Sequence, residues 1–303
     1  MSTNTLQYKV GLTVLRAEHM GMCFGVRDAI TLAKREVDSR PLTVLGELVH
    51  NDTVLNDLRG RGVQFESQPD KVETEAVMIT AHGASDRAKG RAEESGLKLM
   101  DATCPLVHHA HKQLRQLVKD GYPPVVLGRR GHVEVRGRTE DLAECDVVLS
   151  EEDIDALAPR QKYGVVAQST QPIARVHEFV GYLENRFPAA EVRFVDTVCQ
   201  PTKQRQSAAV ELAKRSDVVL VVGGVNSNNT HELARTCREF CDEVHHVQGP
   251  GDVRSEWLPA SGTLGITAGT STPDILIDAV EDRVHQLSGG LRETSPEAQP
   301  AMA

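Results

Sequence analysis

Six apolar runs rich in Val, Ile and Leu, each ending in polar residues and each followed by an amphipathic helical stretch, organise the chain from about residue 11 to 287. They are "TVLGELVHN" (43–51), "AVMITAHGAS" (76–85), "PPVVLGRRGHVE" (123–134), "YGVVAQST" (163–170), "DVVLVVGGVNSNN" (217–229) and "TLGITAGTS" (263–271). Apolar strands alternating with helices fold as α/β units on a mainly parallel sheet, because parallel strands need a crossover and the helices then cover both sheet faces.

The runs form three pairs, and each pair follows a cysteine set ahead of a helix: Cys23 in "MGMCFGVRDAITLAKREV", Cys104 in "LMDATCPLVHHAHKQL" and Cys199 in "FVDTVCQPTKQRQSAAVELAKR". The order cysteine, helix, strand with a polar tip, helix, strand with a polar tip is a weak internal repeat. It predicts three similar α/β domains around a common centre, spanning 11–107, 108–200 and 201–287, and a disordered tail of Gly, Pro and Ser character at 288–303. Ligands of open parallel sheets bind beyond the carboxyl ends of the strands, which is where the polar tips stand.

Six cysteines without a CxxC pair, no run of eighteen apolar residues, and a first ten residues lacking a basic start and apolar middle point to a cytoplasmic protein with reduced thiols. A cysteine at a helix N-terminus faces free N–H groups and the positive end of the dipole, which favour the thiolate, the form that ligates metal or attacks. Cys23, Cys104 and Cys199 lie 81 and 95 residues apart, which excludes local zinc-finger or ferredoxin spacing, so a shared metal has to be assembled by tertiary structure. Two sites fit three thiolates: a zinc completed by a histidine, or an iron-sulfur cluster with one iron lacking a protein ligand. Cys145, Cys237 and Cys241 read as packing residues.

The formal net charge of -9 argues against nucleic-acid binding but leaves room for a local anion site. His50, His82 and His132 fall at strand tips beside Asn51, Gly83 and Glu134; with Ser169, Ser227, Asn229 and Ser271 they outline a pocket dense in hydrogen-bond donors and poor in formal positive charge. Such a pocket suits a phosphate or diphosphate, and the turns "AHGAS" and "GGVNSNN" let backbone N–H groups approach it. The "HHAH" cluster, His108, His109 and His111, reads as helix surface. Glu134 stands two residues after His132, so in an extended segment the two side chains share a side. Facing the pocket, it is the one carboxylate near three thiolates and an anion, surroundings that favour the protonated acid and suit proton delivery near neutral pH.

These residues carry a resemblance. "GMCFGV", "GELVHN", "AHG", "DATCPLV", "GHVEV", "QST", the segment from Cys199 to "KQRQ", "NSNN" and "GTSTPD" occur in the order found in the LytB/IspH family, the 4-hydroxy-3-methylbut-2-enyl diphosphate reductases of the non-mevalonate isoprenoid pathway. The resemblance spans about residues 11 to 285. It implies a pseudo-threefold, three-domain α/β protein with one 4Fe-4S cluster on Cys23, Cys104 and Cys199, its fourth iron open. It implies that His50, His82, His132, Ser227, Asn229 and Ser271 bind the substrate diphosphate, that a hydroxyl of Ser169 or Thr170 lies near the reacting end, and that Glu134 donates the proton. A small electron carrier, ferredoxin or flavodoxin, is the implied partner; no nucleic acid or membrane is.

The chain departs from the family pattern in three places. Asn228, a further candidate at the diphosphate, stands where the family carries a second small hydroxyl or Ala; "QST" replaces "QTT"; and "RGRTEDL" after "GHVEV" is more charged than the usual Gly-Thr-Met-Gly stretch. Competing readings are a hydratase or dehydratase using the same open-iron cluster without redox change, and a cluster-based redox sensor. A demand for reducing equivalents separates the first, and the donor-rich pocket has no place in the second.

Overall fold

The structure, a computed structural model, describes residues 11–289. In chain order the elements are β1 (Leu12–Arg16), α1 (Phe24–Val37), β2 (Leu42–Leu45), α2 (Asp52–Gly60), β3 (Gln64–Glu66), β4 (Ala76–Ile79), α3 (Asp86–Glu94), β5 (Lys98–Asp101), α4 (Pro105–Lys119), β6 (Pro124–Leu127), α5 (Val133–Thr139) and β7 (Asp146–Val148). There follow α6 (Glu151–Asp155), β8 (Lys162–Ala167), α7 (Ile173–Arg186), β9 (Glu191–Val195), α8 (Gln200–Ala213), β10 (Val218–Val222), α9 (Asn228–Arg238), β11 (Glu243–Val247), β12 (Gly262–Ala268) and α10 (Asp274–Ser288).

The strands make three four-stranded sheets, ordered β3-β2-β4-β5, β7-β6-β8-β9 and β1-β12-β10-β11, with parallel pairing throughout. Each of the six apolar runs is one of the two central strands of a sheet. Their burial explains why: the five residues of β10, "VVLVV", and the four of β4, "AVMI", are all buried, because helices cover both faces. The helices carry matching apolar stripes, such as Val107, Ala110, Leu114 and Leu117 on α4.

One expectation is corrected. β1, assigned by sequence to a first unit at 11–107, pairs along its whole length with β12 of the third sheet. The reason lies in the repeat itself. In every sheet the fourth strand (β5, β9 or β1) leads directly into a cysteine and its helix, and that helix packs on the next sheet. Thus α1 buries Ala29, Ile30 and Ala33 against Val44, Leu55 and Met78, while α8 buries Ala209 and Ala213 against Val219 and Val221. The first strand supplies the edge that the last unit lacks, and the chain closes into a ring of three.

The expected tail at 288–303 falls outside the described residues from 290 onward. Ser288 is the last residue of α10, and Gly289 caps it with φ 77°, a left-handed conformation that glycine adopts without penalty. Among the described residues no helix is long and apolar enough to cross a membrane.

Candidate active site at the centre of the three sheets

Beyond the carboxyl ends of the central strands, one loop from each strand reaches a common cavity. His50, His82, His132, Thr170, Ser227, Asn228, Asn229 and Ser271 line it, joined by Thr270, Val26 and Val49, which the sequence did not single out. Three imidazoles form its first wall: His50 and His82 stack with ring centroids 4.4 Å apart, and His132 stands edge-on to both at 5.6 and 5.8 Å. Their local contacts set their proton chemistry. His132 is the N-cap of α5, and its Nδ1 accepts the Glu134 N–H at 3.1 Å, so in the neutral ring the proton sits on Nε2 as a donor. His50 bonds through Nδ1 to Glu47 at 3.0 Å, which leaves its Nε2 for a ligand. Burial, followed by the other two rings, holds His82 well below the usual histidine range, and burial pushes His132 down to about 4. His82 and His132 are therefore neutral until an anion arrives.

The opposite wall comes from the third unit. Ser227 caps α9 by accepting the Thr230 N–H, which leaves its own hydroxyl proton free. Asn229 accepts the Thr270 N–H through Oδ1 at 2.9 Å, so its amide group faces away, buried and without a partner. His82 Nδ1 is likewise buried and unpartnered. Ser271 donates to the His50 carbonyl at 3.1 Å, tying the third unit to the first, and Asn228 donates to Thr170 at 3.2 Å, tying the third to the second. Gly224 makes this contact possible: a Cβ there would lie 2.6 Å from the His50 carbonyl oxygen. Buried polar atoms without partners are costly in a finished site, so two in one cavity, one of them the Asn229 amide donor, point to a polar ligand.

The cysteines lie one peptide away. Cys104, Cys199 and Cys23 each cap a helix and each donate their backbone N–H to a cavity loop: to Ala81 at 3.1 Å, beside His82; to Ser169 at 3.0 Å, beside Thr170; and to Thr270 at 3.0 Å, beside Ser271. All three thiols are free. Gly25 lets two of these segments meet, since a Cβ on it would lie 2.4 Å from the Cys104 sulfur. For Cys104 and Cys199 the expected bias toward thiolate does not hold without a metal. Burial raises Cys104 despite the N–H groups of Leu106 and Val107, and burial raises Cys199 to about 11 despite Thr202.

Whether these residues suit a cluster can be judged from their arrangement. Among the described residues no group of three His, Cys, Asp or Glu is close enough to hold a single metal ion, so the thiols are not a ready zinc cage. Three free thiols at helix starts, each one backbone hydrogen bond from the anion cavity, are the residues that would hold an iron-sulfur cluster. Cys237 and Cys241 pack in the apolar layer of α8, α9 and β10, and Cys145 packs beside α4, as expected.

Glu134 corrects the sequence reading twice. It lies not on an extended segment but in the first turn of α5, and its neighbours are not all anionic. Arg138, one turn on, is fully buried and ion-paired to Glu134 Oε1. The same oxygen accepts the Ser169 N–H at 2.8 Å, and Oε2 takes the Ser169 hydroxyl at 2.8 Å. Arg138 also donates to the Ala167 carbonyl at 2.8 Å. The i,i+4 spacing of Glu134 and Arg138 is legible in the sequence, but its burial is not. His111 is a third correction: it is 7% exposed rather than on the helix surface, its Nε2 has no partner, and burial together with Arg138 pushes it down to about 4. His108 and His109 are exposed.

The comparisons with known proteins agree with this architecture. The chain is 35% identical over 284 residues to a 4-hydroxy-3-methylbut-2-enyl diphosphate reductase of Aquifex aeolicus, covering 91% of this chain and 97% of that one. It is 37% identical over 276 residues to the enzyme of that name from a Geobacter species, covering 90% and 97%. A solved structure of an (E)-4-hydroxy-3-methyl-but-2-enyl diphosphate reductase matches with TM-score 0.65 at 34% identity, over 90% of this chain and 99% of that one. The corresponding reductase of Plasmodium falciparum superposes with TM-score 0.87 over 93% and 91% of the two chains and, at 24% identity, speaks to the fold alone. The family model described as LytB protein matches residues 14–285, and with three cysteine-led α/β units and a donor-lined cavity at their centre, the chain belongs to the LytB family.

Proposed function

We propose that this chain catalyses the reductive dehydroxylation of (E)-4-hydroxy-3-methylbut-2-enyl diphosphate to isopentenyl and dimethylallyl diphosphate, the last step of the non-mevalonate isoprenoid pathway, with one 4Fe-4S cluster on Cys23, Cys104 and Cys199. One observation carries the reading: a cavity with two orphaned polar atoms, His82 Nδ1 and Asn229 Nδ2, adjoins the segments of three cysteines through single backbone hydrogen bonds. When bound, the cluster supplies electrons one at a time and a Lewis-acidic iron without a protein ligand, which weakens the allylic C–O bond.

The protein's own groups do the rest. The Nε2 donor of His132, the free hydroxyl of Ser227 and the orphaned groups of His82 and Asn229 hold the diphosphate, with His50, Asn228 and Ser271 around them. An arriving anion draws protons onto the neutral His82 and His132 rings, adding charge-assisted bonds to the diphosphate. Ser169, bonded to both the Cys199 segment and Glu134, sits between thiols and acid, with Thr170 beside it in the cavity. The reaction balances with two electrons and two protons: the C–O bond breaks, hydroxide leaves with one proton as water, and the allyl fragment takes the electron pair and a second proton at either end. Glu134 is placed to deliver protons through the Ser169 hydroxyl. Ferredoxin or flavodoxin is the class of carrier that supplies the electrons.

Turnover of anaerobically reconstituted protein with the hydroxymethylbutenyl diphosphate tests the reading. Both isopentenyl and dimethylallyl diphosphate should form, and only with a reductant present. Conversion without reductant, or none with a fully loaded cluster, contradicts it.

A further inference from the structure

The charged segment after "GHVEV" sets this chain apart from the usual pattern of its family, and its one buried charged residue, Arg138, touches the proton donor. Its side chain is fully shielded, yet it lies against no substrate-facing surface: the residues lining the cavity do not include it. Its guanidinium spans two segments instead. Nη2 pairs with Glu134 Oε1 on α5, and Nη1 donates to the carbonyl of Ala167 at the end of β8, two residues before Ser169. α5 itself is held in place, since Gly137 packs so closely on Ala84 that a Cβ would come within 3.2 Å of its backbone.

The consequence lies in how the two carboxylate oxygens are used. Oε1 accepts from both Arg138 and the Ser169 N–H. Two strong donors occupy it, one of them permanently charged. Oε2 has one partner, the Ser169 hydroxyl, and that partner can donate or accept. We infer that Arg138 is a positioning residue that reserves Oε1 as a permanent acceptor, so that Glu134 carries its mobile proton only on Oε2 and passes it only through Ser169 toward the substrate. With the proton on Oε2, the Ser169 hydroxyl accepts it and gives up its own on the other side, and the carboxylate left behind faces a fixed guanidinium.

This inference rests on Glu134 being the proton donor, and the test keeps the two apart. Arg138→Met and Arg138→Lys are made alone and with Glu134→Gln, and kcat, KM, inorganic diphosphate affinity and metal-free thermal unfolding are measured. For R138M we expect kcat to fall about tenfold or more with KM and diphosphate affinity within twofold of wild type, and for R138K an intermediate loss, because an ammonium cannot fork between Glu134 and Ala167. In the E134Q background R138M should change kcat less than twofold, since Arg138 acts only through that carboxylate. In the metal-free protein each single change should lower the unfolding midpoint and the double change should recover part of the loss. Where R138M alone does not fold, R138M/E134Q against E134Q carries the comparison. Wild-type kcat in R138M and R138K beside a crippled E134Q overturns the role of Arg138 alone, as does an equal loss from R138M in both backgrounds. Wild-type turnover in E134Q overturns the proton-donor reading and this inference with it.

Discussion

Replacing Gly25 by Ala tests whether Cys104 is held in one place for a purpose. The added Cβ would sit 2.4 Å from the Cys104 sulfur, more than an ångström inside the ordinary contact distance of about 3.5–4.0 Å, and 3.0 Å from its Cβ. The sulfur can rotate away about the Cα–Cβ bond at a cost of about 1 kcal/mol, while the fixed Cβ contact needs the backbones to part by a few tenths of an ångström. Against this, Ala in place of Gly inside α1 gains about 0.5–1 kcal/mol. The metal-free protein should therefore melt within a few degrees of wild type. A sulfur rotated off its position, however, cannot ligate what Cys23 and Cys199 hold, so iron retained after anaerobic reconstitution should fall to the level of Cys104→Ser. Full iron content with an unchanged EPR spectrum in Gly25→Ala would refute the reasoning, because it would mean that the sulfur's position is not set by the cluster.

Three further outcomes are expected. Glu134→Gln leaves the Arg138 guanidinium buried without its counter-charge and should cost about 3–5 kcal/mol in urea unfolding as well as most turnover; an unaltered unfolding midpoint would mean that the pair is not buried as described. Gly224→Ala pushes on the His50 carbonyl and separates the third unit from the imidazoles, so inorganic diphosphate affinity measured by calorimetry should fall about tenfold, and unchanged affinity contradicts the cavity. His111 is held neutral in the fold, so its contribution is present above its unfolded value of 6.5 and drains away as pH falls toward about 4. Between pH 7 and 5 this amounts to about 2 kcal/mol of stability that wild type loses and His111→Gln does not; parallel losses in the two proteins would count against it.

Much of this architecture was readable because its information is repeated. The central strands are continuous apolar runs and the cysteine contexts recur three times, so a fold class and a shared centre follow from pattern. Edge strands carried little signal: β3 is "QFE" and β7 "DVV", short and paired on one side, with mixed exposure. The pairing of β1 with β12 is a ring closure across the whole chain, which no local pattern encodes. Site residues at strand tips were legible as types, because turns concentrate polar groups, and eight of the named residues do line the cavity. Glu134 was misread because one residue of spacing cannot tell an extended pair from an N-cap and its first turn. Arg138 was missed and His111 misread for a related reason: charged and polar residues on helices are exposed by default, and only packing reveals their burial, with a partner for Arg138 and without one at Nε2 for His111.

The central claim is that three cysteines hold a cluster next to an anion cavity, and iron and sulfide analysis of anaerobically purified protein, with EPR before and after adding substrate and reductant, tests it most directly. Close to four irons and four sulfides per chain, with a spectrum that shifts on substrate addition and is lost in Cys23, Cys104 or Cys199 variants, is the predicted result. One equivalent of zinc and no sulfide, with oxygen rigorously excluded, would contradict it.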